Sequence, residues 1–264
     1  MIIEFISTPG AGKTSLRSAV KEFFAERGQH PWGVLEAARP FASRTEVGRL
    51  AGSLAPASLR GPLLWQVFYQ ASRLQRAGFR SEHQALIRSV EDFQRERPIP
   101  DADRRHVMGW FTNLTGQYRF LKTHAEKNDV LIFDEGFIHR VVQLFASEAE
   151  TLDPARIRSY LDLIPVPDLI IQPQASLATC LERVYRRGIW ERFRGRDKAT
   201  VRRFMQNAHA AVGIAVEHIC ARGWPLLQVV NEDRTAAESA RQLKTKLSSM
   251  YALAPDQINL LVNA

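Results

Sequence analysis

Lysine is scarce in this 264-residue chain, with seven residues against 29 arginines. Cysteine is scarcer still. Cys180 and Cys220 stand alone, outside any CxxC or Cys/His cluster. That excludes a disulfide scaffold and a zinc ribbon, and it predicts two reduced, partly buried thiols. Long apolar runs are missing too. None approaches the roughly 18 residues that a membrane span needs. The opening MIIEFIS has no basic stretch and no apolar core of the secretory kind, so no signal peptide is expected. The expected setting is cytoplasmic, with no membrane partner. Repeats and low-complexity linkers are also absent. The hydrophobic share of 45% and the charged share of 24% exclude a disordered or collagen-like chain.

What is present is a formal charge of +8. It is not spread evenly. Residues 183–203 hold eight Arg and one Lys against Glu191 and Asp197, a local +7, which leaves about +1 for the rest. A single arginine-rich segment suits a site that closes on phosphates. A general nucleic-acid surface would spread its charge more widely, so nucleic acid is an unlikely partner.

Short apolar runs mark strands at Met1–Ile6, Val130–Phe133, Asp168–Gln172 and Leu226–Val230, with a fifth predicted at Val34–Ala37. Helical spacing covers Lys13–Arg27, Gly136–Ser147, Pro154–Leu163, Ala175–Arg187, Ala199–Ala221 and Thr235–Met250. Three further helices fall between Gly61 and Asp129, the first ending near Gly78 and the second before Pro98. Buried strands alternating with helices predict an α/β fold, a parallel sheet covered on both faces. The expectation is a single domain over 1–264, with 61–128 a helical insertion.

Ser7-Thr8-Pro9-Gly10-Ala11-Gly12-Lys13-Thr14 follows the first strand and opens the first helix. The phosphate-cradling pattern is G-x-x-x-x-G-K-[ST] in that strand–helix context. Glycines let backbone N–H groups converge on phosphate oxygens, and the helix N-terminus adds positive potential. Pro9, Gly10, Ala11, Gly12, Lys13, Thr14 and Ser15 are the expected nucleotide-binding residues. Lys13 would reach the β- and γ-phosphates, and the Thr14 hydroxyl would ligate Mg²⁺. Position 7 is Ser where the pattern has Gly.

Asp134-Glu135 closes the VLIF strand, at the end of a parallel strand where ligands collect. Asp134 is the expected second Mg²⁺ ligand. Glu135 is left with two roles, a further metal-shell carboxylate or the base for the acceptor, and Glu36 is an alternative base. The arginine-rich stretch from Arg183 to Arg196 is interrupted by Gly188 and Gly195. Planar guanidinium groups on a lid would offset charge on a transferring phosphoryl. The aromatics Trp190 and Phe193 leave a base-stacking role open as well.

Together the Gly10–Thr14 loop, Asp134-Glu135, the Arg183–Arg196 segment and the closing LLQVVNEDRTAAESA resemble P-loop kinases of the thymidylate and nucleoside-monophosphate kinase group. The resemblance implies a three-layer P-loop NTPase fold, with a five-stranded sheet in the order 2-3-1-4-5. It implies ATP and Mg²⁺, a lid at 183–198 bearing Arg186, Arg187, Arg192, Arg194 and Arg196, and a homodimer as one assembly such kinases adopt. On this reading Lys13, Asp134, Glu135, Arg192 and Arg194 carry the chemistry, and Arg187 helps to hold the nucleotide. LEAARP at 35–40 is similar to the segment in which an arginine binds the acceptor phosphate, which would be Arg39. The glycines expected after it are replaced by Phe41-Ala42-Ser43, and the carboxylate-Arg-Tyr/Phe motif is replaced by Asp134-Glu135-Gly136-Phe137. Both departures fall on the acceptor side.

Arg39, Trp65, Tyr69, Arg119 and Arg140 are therefore the expected substrate-binding residues, with Trp110 and Tyr118 as further candidates. Aromatic faces could stack on a base or sugar, and arginine could hold an anion. The expected function is an ATP-dependent small-molecule kinase. The alternatives are a nucleotide-hydrolysing switch, with Glu135 activating water, or a polynucleotide kinase.

Overall fold

A computed structural model describes residues 1–147, 151–189, 193 and 195–252. Five strands form one sheet in the order β2-β3-β1-β4-β5, with ranges β1 Ile2–Phe5, β2 His30–Gly33, β3 Asp129–Phe133, β4 Leu169–Gln174 and β5 Leu226–Val230. The pairs β2/β3, β1/β4 and β4/β5 are parallel, with Ile3 opposite Leu169 and Ile170 opposite Leu226. The strand order is the one expected, and so is the α/β class. Strands β3 and β4 begin as unbroken buried runs, because helices cover both faces of such sheets.

The chain divides into two compact units. One comprises Met1 with Gln29–Ile132, and the other Ile2–Gly28 with Phe133–Ala264. The first holds β2, most of β3 and the helices α2 Val34–Arg44, α3 Glu46–Leu54, α4 Ala57–Glu82, α5 Gln84–Glu96 and α6 Asp101–His124. Within it the Asp129 carboxylate, at the start of β3, is buried, and it accepts from Arg44, Trp32 Nε1 and the Glu126 N–H. Burial raises that carboxyl's pKa, but these donors win and hold it below its ordinary value.

Two expectations are corrected here. Val34–Ala37 is not a strand but the first turn of α2. Ala37, Ala38, Phe41 and Ala42 are buried at helical spacing, and the Glu36 carboxylate accepts the Gly33 N–H at 3.1 Å. The strand lies just upstream, in the weakly apolar His30-Pro31-Trp32-Gly33, paired from His30 opposite Asp129. Gly78 does not end its helix either, since α4 runs on to Glu82. A Cβ at Gly78 would lie 2.4 Å from the Arg119 guanidinium carbon, and one at Gly116 would lie 2.1 Å from the Ser72 carbonyl oxygen. These glycines let α4 and α6 pack closely.

The second unit holds β1, β4, β5 and the helices α1 Lys13–Ala25, α7 Arg140–Phe145, α8 Pro154–Leu161, α9 Leu177–Arg187, α10 Lys198–Ala221 and α11 Ala236–Ala252. Leu16, Val20, Phe23 and Phe24 give α1 its buried face, which packs against α11. Asp153, Ser176 and Asp197 cap the N-termini of α8, α9 and α10 with side-chain oxygens. The helix expected from Gly136 begins only at Arg140, because 136–139 form a turn.

Candidate active site

The phosphate-type loop lies entirely in the second unit. Between β1 and α1, Gly10 and Gly12 take φ of +90° and +100°, the left-handed region that glycine tolerates. The Ala11 N–H donates to the Thr8 carbonyl at 3.1 Å, closing the bend. Thr14 and Ser15 stand exposed at the start of α1. Gly12, with no capping side chain, precedes the helix. Its first N–H groups are therefore free for an anion.

Asn231 and Arg183 hold this loop from behind, a role that their places in the sequence do not announce. Asn231, directly after β5, donates from Nδ2 to the Ala11 carbonyl at 2.6 Å, and its Oδ1 accepts from Ser239 Oγ at 2.7 Å. Arg183 of α9 donates to the Asn231 carbonyl at 2.9 Å and reaches the Gly10 carbonyl at 3.5 Å. Backbone of α9 also closes on the loop, since a Cβ at Gly10 would sit 2.5 Å from the Cys180 carbonyl oxygen. The signal available was a polar Asn after an apolar strand. Arg183 was noticed only as the start of a charged stretch.

Lys13 is half-buried, and its ammonium meets His139 Nε2 at 2.7 Å. Burial pulls the Lys13 pKa down to about 8, against the attraction of Glu135 and Asp134. Burial also holds the His139 pKa well below its ordinary value, and the charges of Lys13 and Arg140 add to this. The imidazole is thus neutral, accepting at Nε2 and carrying its proton on Nδ1. That Nδ1 is buried with no hydrogen-bond partner.

Asp134 follows β3 and shares Oδ2 with Arg17 of α1 at 2.5 Å. Its Oδ1 is buried and unpartnered. Burial raises its pKa, and Arg17 opposes the rise. An unpartnered carboxylate oxygen beside the phosphate-type loop, with the exposed Thr14 on the same unit, fits Mg²⁺. No cluster of three or more His, Cys, Asp or Glu ligands occurs among the described residues. A cation held by one carboxylate, a hydroxyl, water and phosphate needs none.

Glu135 is exposed and accepts from Gln143 Nε2 at 2.9 Å, with Arg140 3.6 Å away. Arg140 is buried rather than displayed on a surface. Arg187 is exposed near the end of α9, and its charge contributes to lowering the Lys13 pKa. Arg186 and Arg196 are exposed as well. Arg192 and Arg194 lie outside the described residues.

The remaining expected residues belong to the first unit. Arg39, Leu59, Pro62, Leu63, Trp65 and Gln66 line a cavity of about 430 Å³. Trp65 packs on Phe68, and Arg73 sits over the exposed Tyr69 ring. Arg119 is engaged by Glu82 and Gln75 between α4 and α6. Tyr118 is buried against Phe79, and Trp110 stacks edge-on with His106. Glu36 is occupied at the start of α2, as described.

No family model and no curated protein matches the chain. Among solved structures it overlaps a deoxyadenosine kinase from M. mycoides. With dATP bound, that structure gives 13% identity and a TM-score of 0.48 over 94% of this chain and 100% of that one. The same enzyme with dCMP and a flexible dCDP gives 14% and 0.45, and with dCTP it gives 12% and 0.44, over the same shares of both chains. Overlaps this loose carry no assignment, which rests instead on the residues of the site.

Proposed function

We propose that the chain is an ATP-dependent small-molecule kinase. It would transfer the γ-phosphoryl group to a hydroxyl or phosphate of a nucleotide, nucleoside or sugar-like acceptor. One observation carries this reading. Within a single unit, a loop bent by two left-handed glycines leads into α1 and Lys13, while Asp134 keeps one buried carboxylate oxygen unpartnered and its charge acts on Lys13.

In this reading the loop N–H groups and Lys13 hold the donor phosphates. Asp134 and Thr14 would hold Mg²⁺, which would supply charge neutralisation at the donor phosphates. Glu135, exposed and oriented by Gln143, takes the role of orienting or deprotonating the acceptor. Arg187, Arg192 and Arg194 offset charge on the transferring group. The cavity bearing Arg39 and Trp65 has apolar walls and one guanidinium, chemistry suited to an acceptor with a flat ring and an anionic group. A homodimer remains part of the proposal through the resemblance alone.

The test is ATP turnover with and without a panel of nucleosides, nucleotides and sugars. Acceptor-dependent ADP release supports the kinase. Vigorous ATP hydrolysis indifferent to every acceptor, yet stimulated by a protein, would sink it in favour of a switch. Arg192→Ala and Arg194→Ala should each lower kcat strongly, and unchanged turnover would remove the lid assignment.

A further inference from the structure

Glu4 is a charged residue inside an otherwise apolar strand. Ile3 and Phe5 flank it, and it is fully buried with them. Burying a carboxylate is costly, and an aliphatic side chain would fill a strand position at lower cost. What a carboxylate adds is an acceptor, and this one serves the turn after β3.

Glu4 Oε2 accepts the Ile138 N–H at 2.8 Å, and the Phe137 N–H also donates to the carboxylate. Gly136 lies against the same group. A Cβ there would be 2.2 Å from the Glu4 carboxyl carbon. From α8, Tyr160 donates its hydroxyl to the Phe137 carbonyl at 2.8 Å, so the peptide on either side of Phe137 is held. Asp134 and Glu135 immediately precede this turn. His139, the Lys13 partner, is the residue directly after Ile138.

We propose that Glu4 is a positioning residue of the phosphoryl-transfer site. Through the Ile138 N–H it seats the 136–139 turn, which presents Asp134 on one side and delivers His139 to Lys13 on the other. This explains the glycine at 136, where any side chain would displace the turn from its seat. The proposal rests on the kinase reading for its activity readout, and a second readout is independent of it.

Three variants of the full chain test it. Glu4→Leu fills the strand without an acceptor. Glu4→Gln keeps the shape and an acceptor oxygen. Gly136→Ala displaces the turn while Glu4 stays in place. The structural readout is the ring-nitrogen NMR signal of His139 in histidine-labelled protein, assigned by its loss in His139→Gln. The parent should show one tautomer, protonated at Nδ1 and accepting at Nε2. Glu4→Gln should keep that signal and turn over within about threefold of the parent. Glu4→Leu and Gly136→Ala should shift the signal towards a tautomer mixture. They should also lower kcat at saturating substrates at least tenfold, since a displacement of about 1 Å can cost a hundredfold.

Thermal melts establish which variants are folded at the assay temperature, and Gly136→Ala carries the test if Glu4→Leu is not. A folded Glu4→Leu or Gly136→Ala with the parent His139 signal and turnover overturns the proposal. Equal loss in Glu4→Gln and Glu4→Leu overturns it too, because the acceptor is retained in the first. If no acceptor is ever phosphorylated, the kinase reading fails, while the His139 signal still decides the role of Glu4.

Discussion

Lys13 and His139 share a hydrogen bond of 2.7 Å that joins the start of α1 to the turn after β3. Its polarity follows from burial, which keeps the imidazole neutral and draws the Lys13 pKa down to about 8. Phosphate binding wants the ammonium form. ATP affinity should therefore be level up to about pH 7 and fall as pH rises through about 8, by at most about tenfold per unit as one proton is lost. Isothermal titration across pH 6.5–9.5, a range of roughly that value either side, reads it directly. A flat profile would remove Lys13 from the phosphates. Lys13→Met should weaken binding or turnover by roughly a hundredfold and abolish the pH dependence.

The Glu4 carboxyl behaves oppositely with respect to stability. Its folded pKa is raised to about 7, chiefly by burial, from an ordinary value of 4.5. Between those values the folded chain binds the proton that the unfolded chain has lost. Stability from this group is thus present at low pH and declines from about 4.5 to about 7, by on the order of 3 kcal/mol in total. Denaturant melts of the parent and Glu4→Gln should diverge over that window, with the variant flatter and relatively more stable at pH 8 than at pH 5. Parallel curves would show that Glu4 ionises normally.

Asp134 has one oxygen on Arg17 and the other unpartnered. Asp134→Asn should raise the Mg²⁺ concentration for half-maximal turnover about tenfold to a hundredfold, the span typical of lost metal-site interactions. A Mg²⁺ titration of activity at fixed ATP checks this, and an unmoved midpoint would assign the cation elsewhere.

Asn231 bonds both the Ala11 carbonyl and Ser239. Asn231→Ala strands both partners inside the protein, at about 1–3 kcal/mol of stability. Because the loop loses its support, ATP affinity should also fall in protein that is still folded. A lower melting temperature with unchanged ATP affinity would mean that the bond serves the fold alone.

Strands β3, β4 and β5 were legible because each is largely a short apolar run. β2 was not, since HPWG carries no such pattern and its pairing with β3 decides the assignment. The phosphate-type loop was legible because its chemistry is local, seven or eight residues in a row. Its supports were not. Asn231, just after β5, and Arg183, within α9, arrive from over 170 residues away, and no periodicity announces such a meeting. Glu4 did leave a trace, an acid amid MIIEFI, but only the fold reveals what it faces. Gly78 shows the same limit from the other side, with a packing glycine imitating a helix stop.

The two loop glycines differ in what stands against them. Behind Gly10 is peptide backbone at Cys180, while behind Gly12 is the Asn231 amide, 2.0 Å from where a Cβ would be. Backbone cannot be trimmed by mutation, and a side chain can. A selection for suppressors should thus never rescue Gly10→Ala from position 180. Gly12→Ala could gain room from a smaller residue at 231, though its φ strain would persist. Genetically, neighbouring glycines of one loop would then differ in whether their loss can be repaired.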